Sequence, residues 1–211
     1  MTKGYYDWPD LDIEKMLMNN GSLEEIFYVK DLLRRKLTIS TEIEQSSVED
    51  ICRHIMQFNA EDKDIDVKDR KPILLYIVSN GGDVDAGFEL IDTIMSSKTP
   101  VYTINLGYQY SMGFLIGLAG HKRFAMRNAK YLMHDGSNFV YNSGAKAQDQ
   151  MSFNRKVEER IKSYVTSMTK ISPELYDEKE RVEWYMFADE AKALGVTDYI
   201  IGEDCELDAV I

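Results

Sequence analysis

The chain has 211 residues, and its 25 basic and 36 acidic side chains give a formal net charge of −11. This charge disfavours non-specific binding to nucleic acid, which requires a basic face. Hydrophobic residues make up 44% of the chain and charged residues 29%, so the composition indicates one folded globular domain and excludes general disorder. The longest apolar run, at 112–119, is far shorter than the ~20 residues of a membrane span, and the polar start of the chain lacks the apolar core of a secretory signal. We therefore expect a cytoplasmic protein.

The first clear helical pattern lies at 48–58, where apolar side chains recur at helical spacing. Ser46 and Glu49 have the spacing of a capping box and predict the start of this helix. The segment at 60–71 that follows is rich in acidic residues, and we interpret it as a solvated loop.

Strands and helices then alternate. The run at 73–78 is continuously apolar, which is typical of a strand buried on both faces. A turn at 79–82 and an amphipathic helix at 84–95 follow, and then a second strand at 101–106 and an apolar helix opened by Ser111. This alternation predicts an α/β fold with a parallel sheet.

A third, short strand is predicted at 131–133 and ends at His134. A long exposed helix is predicted at 148–170, and a last helix at 188–194 precedes a final strand at 196–201. In parallel sheets the carboxyl ends of the strands carry the functional site. The residues at these ends are therefore the first candidates for chemistry.

Three groups at the predicted strand ends suit nucleophilic catalysis together. Ser111 stands at a helix N-terminus, His134 is a potential base, and the Gly81-Gly82 turn offers backbone N–H groups that no Cβ shields. Alone, Ser111 would be interpreted as an N-cap and His134 as a structural histidine. The chain has no metal-ligand spacing and no nucleotide-binding fingerprint that would indicate a different chemistry.

From about Arg35 to Ile201 the sequence resembles the proteolytic subunit of the ATP-dependent Clp protease. The motifs that carry the resemblance occur in family order and at family-like intervals: 79–87, 110–113, 122–134 and 188–191, with Gly195 and Asp198. The resemblance implies an α/β fold of the Clp protease/crotonase type, a spiral of β-β-α units with a protruding handle helix. It also implies an N-terminal axial segment at 1–36 and a peptidase domain at 37–211, with the handle at about 135–170.

The resemblance further implies a serine endopeptidase that hydrolyses unfolded polypeptides inside an oligomeric chamber. By position, Ser111 matches the nucleophile, His134 the base and Glu183 the third member of the triad. The N–H groups of Gly82 and Met112 match the oxyanion hole. The residues expected to bind substrate are Val84, Gly136 and Ser137, of which the last two belong to an extended segment at 136–141 that pairs with the substrate backbone. The residues expected to dock a partner are Tyr76, Ile104, Leu106, Met126 and Ile201.

The expected partners are a hexameric ATP-dependent unfoldase and further copies of this chain or of a paralogue, as two stacked heptameric rings. No metal or organic cofactor is implied, since the unfoldase would use the ATP. The sequence departs from the family pattern at several positions: Glu183 replaces an aspartate, Val182 an arginine, Asp135-Gly136 a Gln-Pro pair, and Asn80 the proline of a Ser-Pro-Gly-Gly turn. Two alternatives therefore stay open, a catalytically weak subunit of a mixed ring and an acyl-CoA enzyme of the crotonase class.

Overall fold

The computed structural model describes residues 22–136 and 143–210. The chain forms two compact units, Met1–Lys36 and Leu37–Ile211. In the first unit, helix α1 (Leu23–Leu33) begins with a capping box. Ser22 Oγ accepts a hydrogen bond from the N–H of Glu25 at 3.1 Å, and the Glu25 carboxylate accepts one from the N–H of Ser22 at 2.7 Å. These bonds satisfy two N–H groups and thereby fix the start of the helix.

Strands and helices alternate through the second unit. In chain order the elements after α1 are β1 (Lys36–Ile39), α2 (Gln45–Glu61), β2 (Ile73–Ser79), α3 (Val84–Ser96), β3 (Val101–Tyr110), α4 (Met112–Leu118), β4 (Lys122–Met126), β5 (Lys130–Met133), α5 (Gly144–Met168), α6 (Pro173–Lys179), β6 (Trp184–Phe187), α7 (Ala188–Ala193) and β7 (Tyr199–Ile201). Short 3-10 turns occupy Val67–Asp69 and Leu207–Val210. None of the helices in the described residues combines the length and apolar composition that a membrane crossing requires.

The strands form one seven-stranded sheet. Its main path runs β1-β2-β3-β4-β7, while β5 pairs with β3 and β6 pairs with β5. The pairs β2–β3, β3–β4, β3–β5 and β4–β7 are parallel, and β5–β6 is antiparallel. The prediction of an α/β fold with a mostly parallel sheet is therefore confirmed.

Strand β3 pairs with two strands, β4 and β5, along the same edge. Its first half pairs with β4 and its last three residues pair with β5. At the branch, the buried Asn105 donates through Nδ2 to the carbonyl of Lys130 at 3.0 Å and accepts from the N–H of Gly107 at 3.0 Å. Asn105 thus satisfies backbone groups that the divergence of two strands would leave unpaired. The branch brings the ends of β3 and β5 side by side.

Several predicted boundaries are wrong, and one strand was not predicted. The helix α2 begins at Gln45, and its N-terminal hydrogen bond joins the N–H of Glu44 to Ser47 Oγ at 2.9 Å, so the predicted Ser46/Glu49 capping box is not the one used. Strand β3 continues to Tyr110 instead of ending at 106. Strand β4 lies where no strand was predicted, because Lys122 and Arg123 interrupt the apolar pattern at its start.

The long helix α5 begins at Gly144, four residues earlier than predicted. Its C-terminal half is fastened to the core: Val165 is buried, and Tyr164 Oη donates to the carbonyl of Leu115 at 3.1 Å. Its N-terminal half leaves Met151 and Phe153 exposed at 50% and 62%. The predicted apolar stripe is therefore buried toward one end only.

Arg123 joins three parts of the fold. Its guanidinium forms two hydrogen bonds to the Asp198 carboxylate, at 2.6 and 3.1 Å, and donates to the carbonyl of Met168 at 2.9 Å. Only 16% of the Arg123 side chain and 33% of the Asp198 side chain are exposed. The pair therefore holds the end of α5 and the approach to β7 against β4.

We predict that Arg123→Met lowers the free energy of unfolding by about 3 kcal/mol, because it leaves a partly buried carboxylate without its partner. The measurement is urea denaturation followed by circular dichroism. The control is Arg127→Met, since Arg127 pairs with Glu203 at 3.1 Å with 77% of its side chain exposed and should cost less than about 1 kcal/mol. Equal losses in the two variants would contradict this role.

Candidate active site

A cavity of about 380 Å³ opens where β2, β3 and β5 end. These are the carboxyl ends of parallel strands, the edge at which α/β sheets bind ligands. The cavity is lined by six of the residues predicted from sequence: Gly82, Val84, Ser111, Met112, His134 and Gly136. The structure thus brings the expected nucleophile, base and oxyanion donors to one place. Ser137 and most of the predicted substrate segment lie outside the described residues.

Ser111 has an unusual backbone conformation. Its φ of 52° and ψ of −119° lie in a region that L-residues rarely adopt, at a cost of about 1–3 kcal/mol. Its N–H donates to the carbonyl of Leu132 at 2.9 Å, and its carbonyl accepts from the N–H groups of Phe114 and Leu115 at 3.0 and 3.2 Å. The chain therefore turns from β3 into α4 within one residue. Ser111 is the N-cap residue of α4 by position, but its side chain forms no capping bond to the helix, so its hydroxyl is left for the cavity.

Two glycines allow the segment at 81–82 to lie directly against the turn at Ser111. Gly81 and Gly82 have φ of 99° and 148°. A Cβ on Gly81 would lie 2.7 Å from the Cβ of Ser111 and 2.9 Å from the N of Met112. A Cβ on Gly82 would lie 2.3 Å from the carbonyl oxygen of Ile43. Only residues without a side chain allow this approach.

The same packing leaves two N–H groups available at the cavity. Ile43 donates to the carbonyl of Gly81 and accepts from the N–H of Asp83, both at 2.8 Å, which fixes the turn on either side of Gly82. Met112 is the first residue of α4, where an N–H has no acceptor within the helix. Among the described residues, the N–H of Gly82 and that of Met112 have no acceptor. Both could therefore stabilise a negatively charged oxygen beside Ser111.

The β5–β6 ladder ends next to His134 and Glu183. Met133 pairs with Trp184 in its last rung, so His134 and Glu183 are the first residues beyond the ladder on the two neighbouring chain segments. The next main-chain hydrogen bond joins the N–H of Asp135 to the carbonyl of Glu180 at 2.7 Å, so the register shifts beyond the last rung. The backbone therefore brings the segments that carry His134 and Glu183 together.

The side chains of the expected triad are not joined in this structure. Among the described residues, no hydrogen bond connects Ser111 with His134 or His134 with Glu183; the Glu183 carboxylate instead accepts from Tyr185 Oη at 2.8 Å. In enzymes without bound substrate, catalytic hydrogen bonds are often long or poorly aligned and tighten when substrate binds. Sequence reasoning did not identify Tyr185; the available signal is its position two residues from Glu183, which puts both side chains on one face of a strand.

Tyr176 forms part of the cavity wall. Burial raises its pKa to about 12, and the carboxylates of Glu180 and Asp177 contribute to the increase. The Tyr176 hydroxyl is therefore uncharged at neutral pH. Among the described residues, no group of three or more His, Cys, Asp and Glu side chains is arranged to hold a metal ion.

The residues predicted to dock a partner lie on a different part of the sheet. Ile104 and Ile201 are buried in a cluster with Val210, and Tyr76 and Met126 pack against it. Tyr76 Oη donates to the carbonyl of Val210, so the last described turn of the chain covers this cluster. Leu106 is 45% exposed.

Comparison with known proteins agrees with this architecture. The sequence profile of the family described as Clp protease matches residues 21–204. The chain is 31% identical to ATP-dependent Clp protease proteolytic subunit 2 of Treponema pallidum over 90% of its own length and 93% of that protein. It is 32% identical to proteolytic subunit 1 of Streptomyces avermitilis, over 81% of the chain and 76% of that protein, and 31% identical to proteolytic subunit 3 of Streptomyces coelicolor, over 80% and 76%. These matches favour the endopeptidase over the crotonase alternative. The chain belongs to the Clp protease family.

Proposed function

We propose that Ser111, His134 and Glu183 are the catalytic triad of this serine endopeptidase. The observation that carries the proposal is one cavity lined by Ser111, His134 and the two residues whose N–H groups are unoccupied, Gly82 and Met112. A serine hydroxyl becomes nucleophilic when a neighbouring base takes its proton, and the developing oxyanion requires fixed donors. The cavity supplies each of these groups.

In the proposed reaction Ser111 Oγ attacks the carbonyl carbon of the scissile peptide bond while His134 takes the hydroxyl proton. The N–H groups of Gly82 and Met112 stabilise the oxyanion of the tetrahedral intermediate. His134 then protonates the leaving amine, and an acyl ester remains on Ser111. A water molecule, deprotonated by His134, hydrolyses this ester and releases the acid. Glu183 orients the imidazole and stabilises its protonated form.

For the substrate we propose unfolded polypeptide. Val84 and Gly136 line the cavity beside the nucleophile. In these positions they could contact an extended substrate chain. The proposed substrate segment continues through Ser137 to 141. An extended peptide can add to such a segment as a further strand, because main-chain hydrogen bonds depend little on side-chain identity. Broad sequence preference follows from that mode of binding.

We further propose a cytoplasmic assembly in which the active sites face an enclosed chamber. The segment at 1–36 would form the axial region of a ring and 37–211 the peptidase domain, with the handle at 135–170 joining two heptameric rings. The exposed Met151 and Phe153 on α5 support this use of the handle, since apolar side chains in water favour an interface. Enclosure of the active sites would limit hydrolysis to polypeptide chains that are threaded into the chamber.

A hexameric ATP-dependent unfoldase is the proposed partner. Of the predicted docking residues, Leu106, Tyr76 and Met126 would form the contact surface, and the buried Ile104 and Ile201 would support it from below. The exposed Leu106 and the apolar cluster next to it suit an apolar partner segment. The matched relatives are named as subunits of an ATP-dependent protease. In this proposal the unfoldase is the component that hydrolyses ATP.

We predict that Ser111→Ala lowers hydrolysis of a fluorogenic peptide by at least ~10³-fold, because the nucleophile is lost while the fold is kept. Steady-state kinetics with the purified full chain measures the loss. The control is Ser163→Ala, an exposed position on α5, which should retain full activity. Peptide hydrolysis that survives in Ser111→Ala would contradict the assignment of the nucleophile.

We also predict that Gly82→Ala lowers kcat by about 10²-fold, the cost of misplacing one oxyanion donor. Its Cβ would meet the Ile43 carbonyl at 2.3 Å and push the Gly82 N–H out of position. Gly107→Ala is the matched control, because no atom lies within 4 Å of the added Cβ. The thermal midpoint of each variant separates a local effect from unfolding. Unchanged kcat in folded Gly82→Ala would exclude this N–H as a donor.

For the assembly, we expect light scattering to give fourteen times the subunit mass of 24.3 kDa. Replacing the exposed Phe153 by glutamate should divide the assembly into single rings, because burying a charge in an interface between handles costs free energy. Val67→Glu, on an exposed 3-10 turn, should leave the mass unchanged. A wild-type mass of one subunit would contradict the chamber.

A further inference from the structure

Tyr185 contacts the Glu183 carboxylate from the edge strand of the sheet. Its hydroxyl donates to Glu183 Oε2 at 2.8 Å, and its ring packs edge-on against the ring of Tyr110, with centroids 5.8 Å apart and planes at 88°. Tyr110 immediately precedes Ser111. The ring of Tyr185 is therefore held by the residue next to the proposed nucleophile, while its hydroxyl holds the proposed third member of the triad.

A glutamate at this position needs such a contact. Its side chain has three rotatable bonds, and fixing a long side chain in one rotamer costs conformational entropy on the order of 1–2 kcal/mol. Among the described residues, the only hydrogen bond to the Glu183 carboxylate comes from Tyr185. The bond engages Oε2 and leaves Oε1 for a second donor.

The second donor that the backbone offers is His134. Met133–Trp184 is the last pair of the β5–β6 ladder, so His134 and Glu183 are the first residues beyond it on the two neighbouring chain segments, and Tyr185 follows Glu183 by two residues. We propose that Tyr185 is a positioning residue of the peptidase, whose hydroxyl fixes the Glu183 carboxylate so that its free oxygen accepts a hydrogen bond from the imidazole of His134. This inference rests on the proposed triad.

The protonation state of Tyr185 agrees with a donor role. The hydrogen bond to Glu183 is the main cause that raises the pKa of Tyr185 above its ordinary value, and the carboxylate charge adds to it. The phenol is therefore protonated at neutral pH and can donate throughout the pH range in which the imidazole acts as a base.

The test compares Tyr185→Phe with the unmodified full chain in peptide hydrolysis. Phenylalanine keeps the ring against Tyr110 and removes only the hydroxyl. We expect kcat to fall about three- to tenfold with KM unchanged, the loss that corresponds to one hydrogen bond of ordinary net strength. The control is Tyr199→Phe, which removes another partly exposed hydroxyl, on β7, and should leave kcat and KM unchanged.

A double-mutant cycle with Glu183→Gln identifies the route of the effect. Glu183→Gln alone should lower kcat by about 10⁴-fold, the cost of losing the triad charge. In that background Tyr185→Phe should change kcat by less than about twofold, because the charged acceptor is gone. A full additional loss there, or an unchanged or increased kcat in Tyr185→Phe alone, would overturn the positioning role. If Glu183→Gln itself leaves kcat unchanged, the proposed triad fails instead.

Discussion

The site depends on the branching of strand β3. Because the first half of β3 pairs with β4 and its end pairs with β5, the residues after β3 and β5 become neighbours although more than twenty residues separate them in sequence. Asn105 stabilises the branch because its side chain forms hydrogen bonds with main-chain groups of Gly107 and Lys130. Without the branch, Ser111 would have no carbonyl of Leu132 to hold its strained backbone.

Close backbone approach completes the site. The positive φ of Ser111 turns the chain sharply into α4, and the two glycines at 81–82 let the neighbouring segment lie directly against that turn. Ile43 then holds the glycine turn by two main-chain hydrogen bonds. The strain at Ser111 persists because strand pairing, helix start and glycine packing all fix it together. This rigidity gives the two N–H groups fixed positions, which electrostatic stabilisation of an oxyanion requires.

The sequence predicted the parallel α/β alternation, the family and the residues that meet in the cavity, because the apolar strand at 73–78, the glycine pair and the serine motif are local signals. It did not predict β4, whose start is charged because Arg123 binds Asp198 seventy-five residues away. Long-range pairing of this kind leaves no local pattern. For the same reason Tyr185 was missed: its contact with Tyr110 depends on the folded sheet. The roles of the cavity residues, of Glu183 and of the docking residues stay predictions.

Covalent labelling can determine whether Ser111 is an activated nucleophile. The full chain would be treated with a fluorophosphonate, which reacts with activated serines, and the modified peptide identified by mass spectrometry. We expect one adduct per chain, located on Ser111, and none when His134 is replaced by alanine. A protein that stays unlabelled, or an adduct on a serine outside the cavity, would contradict it.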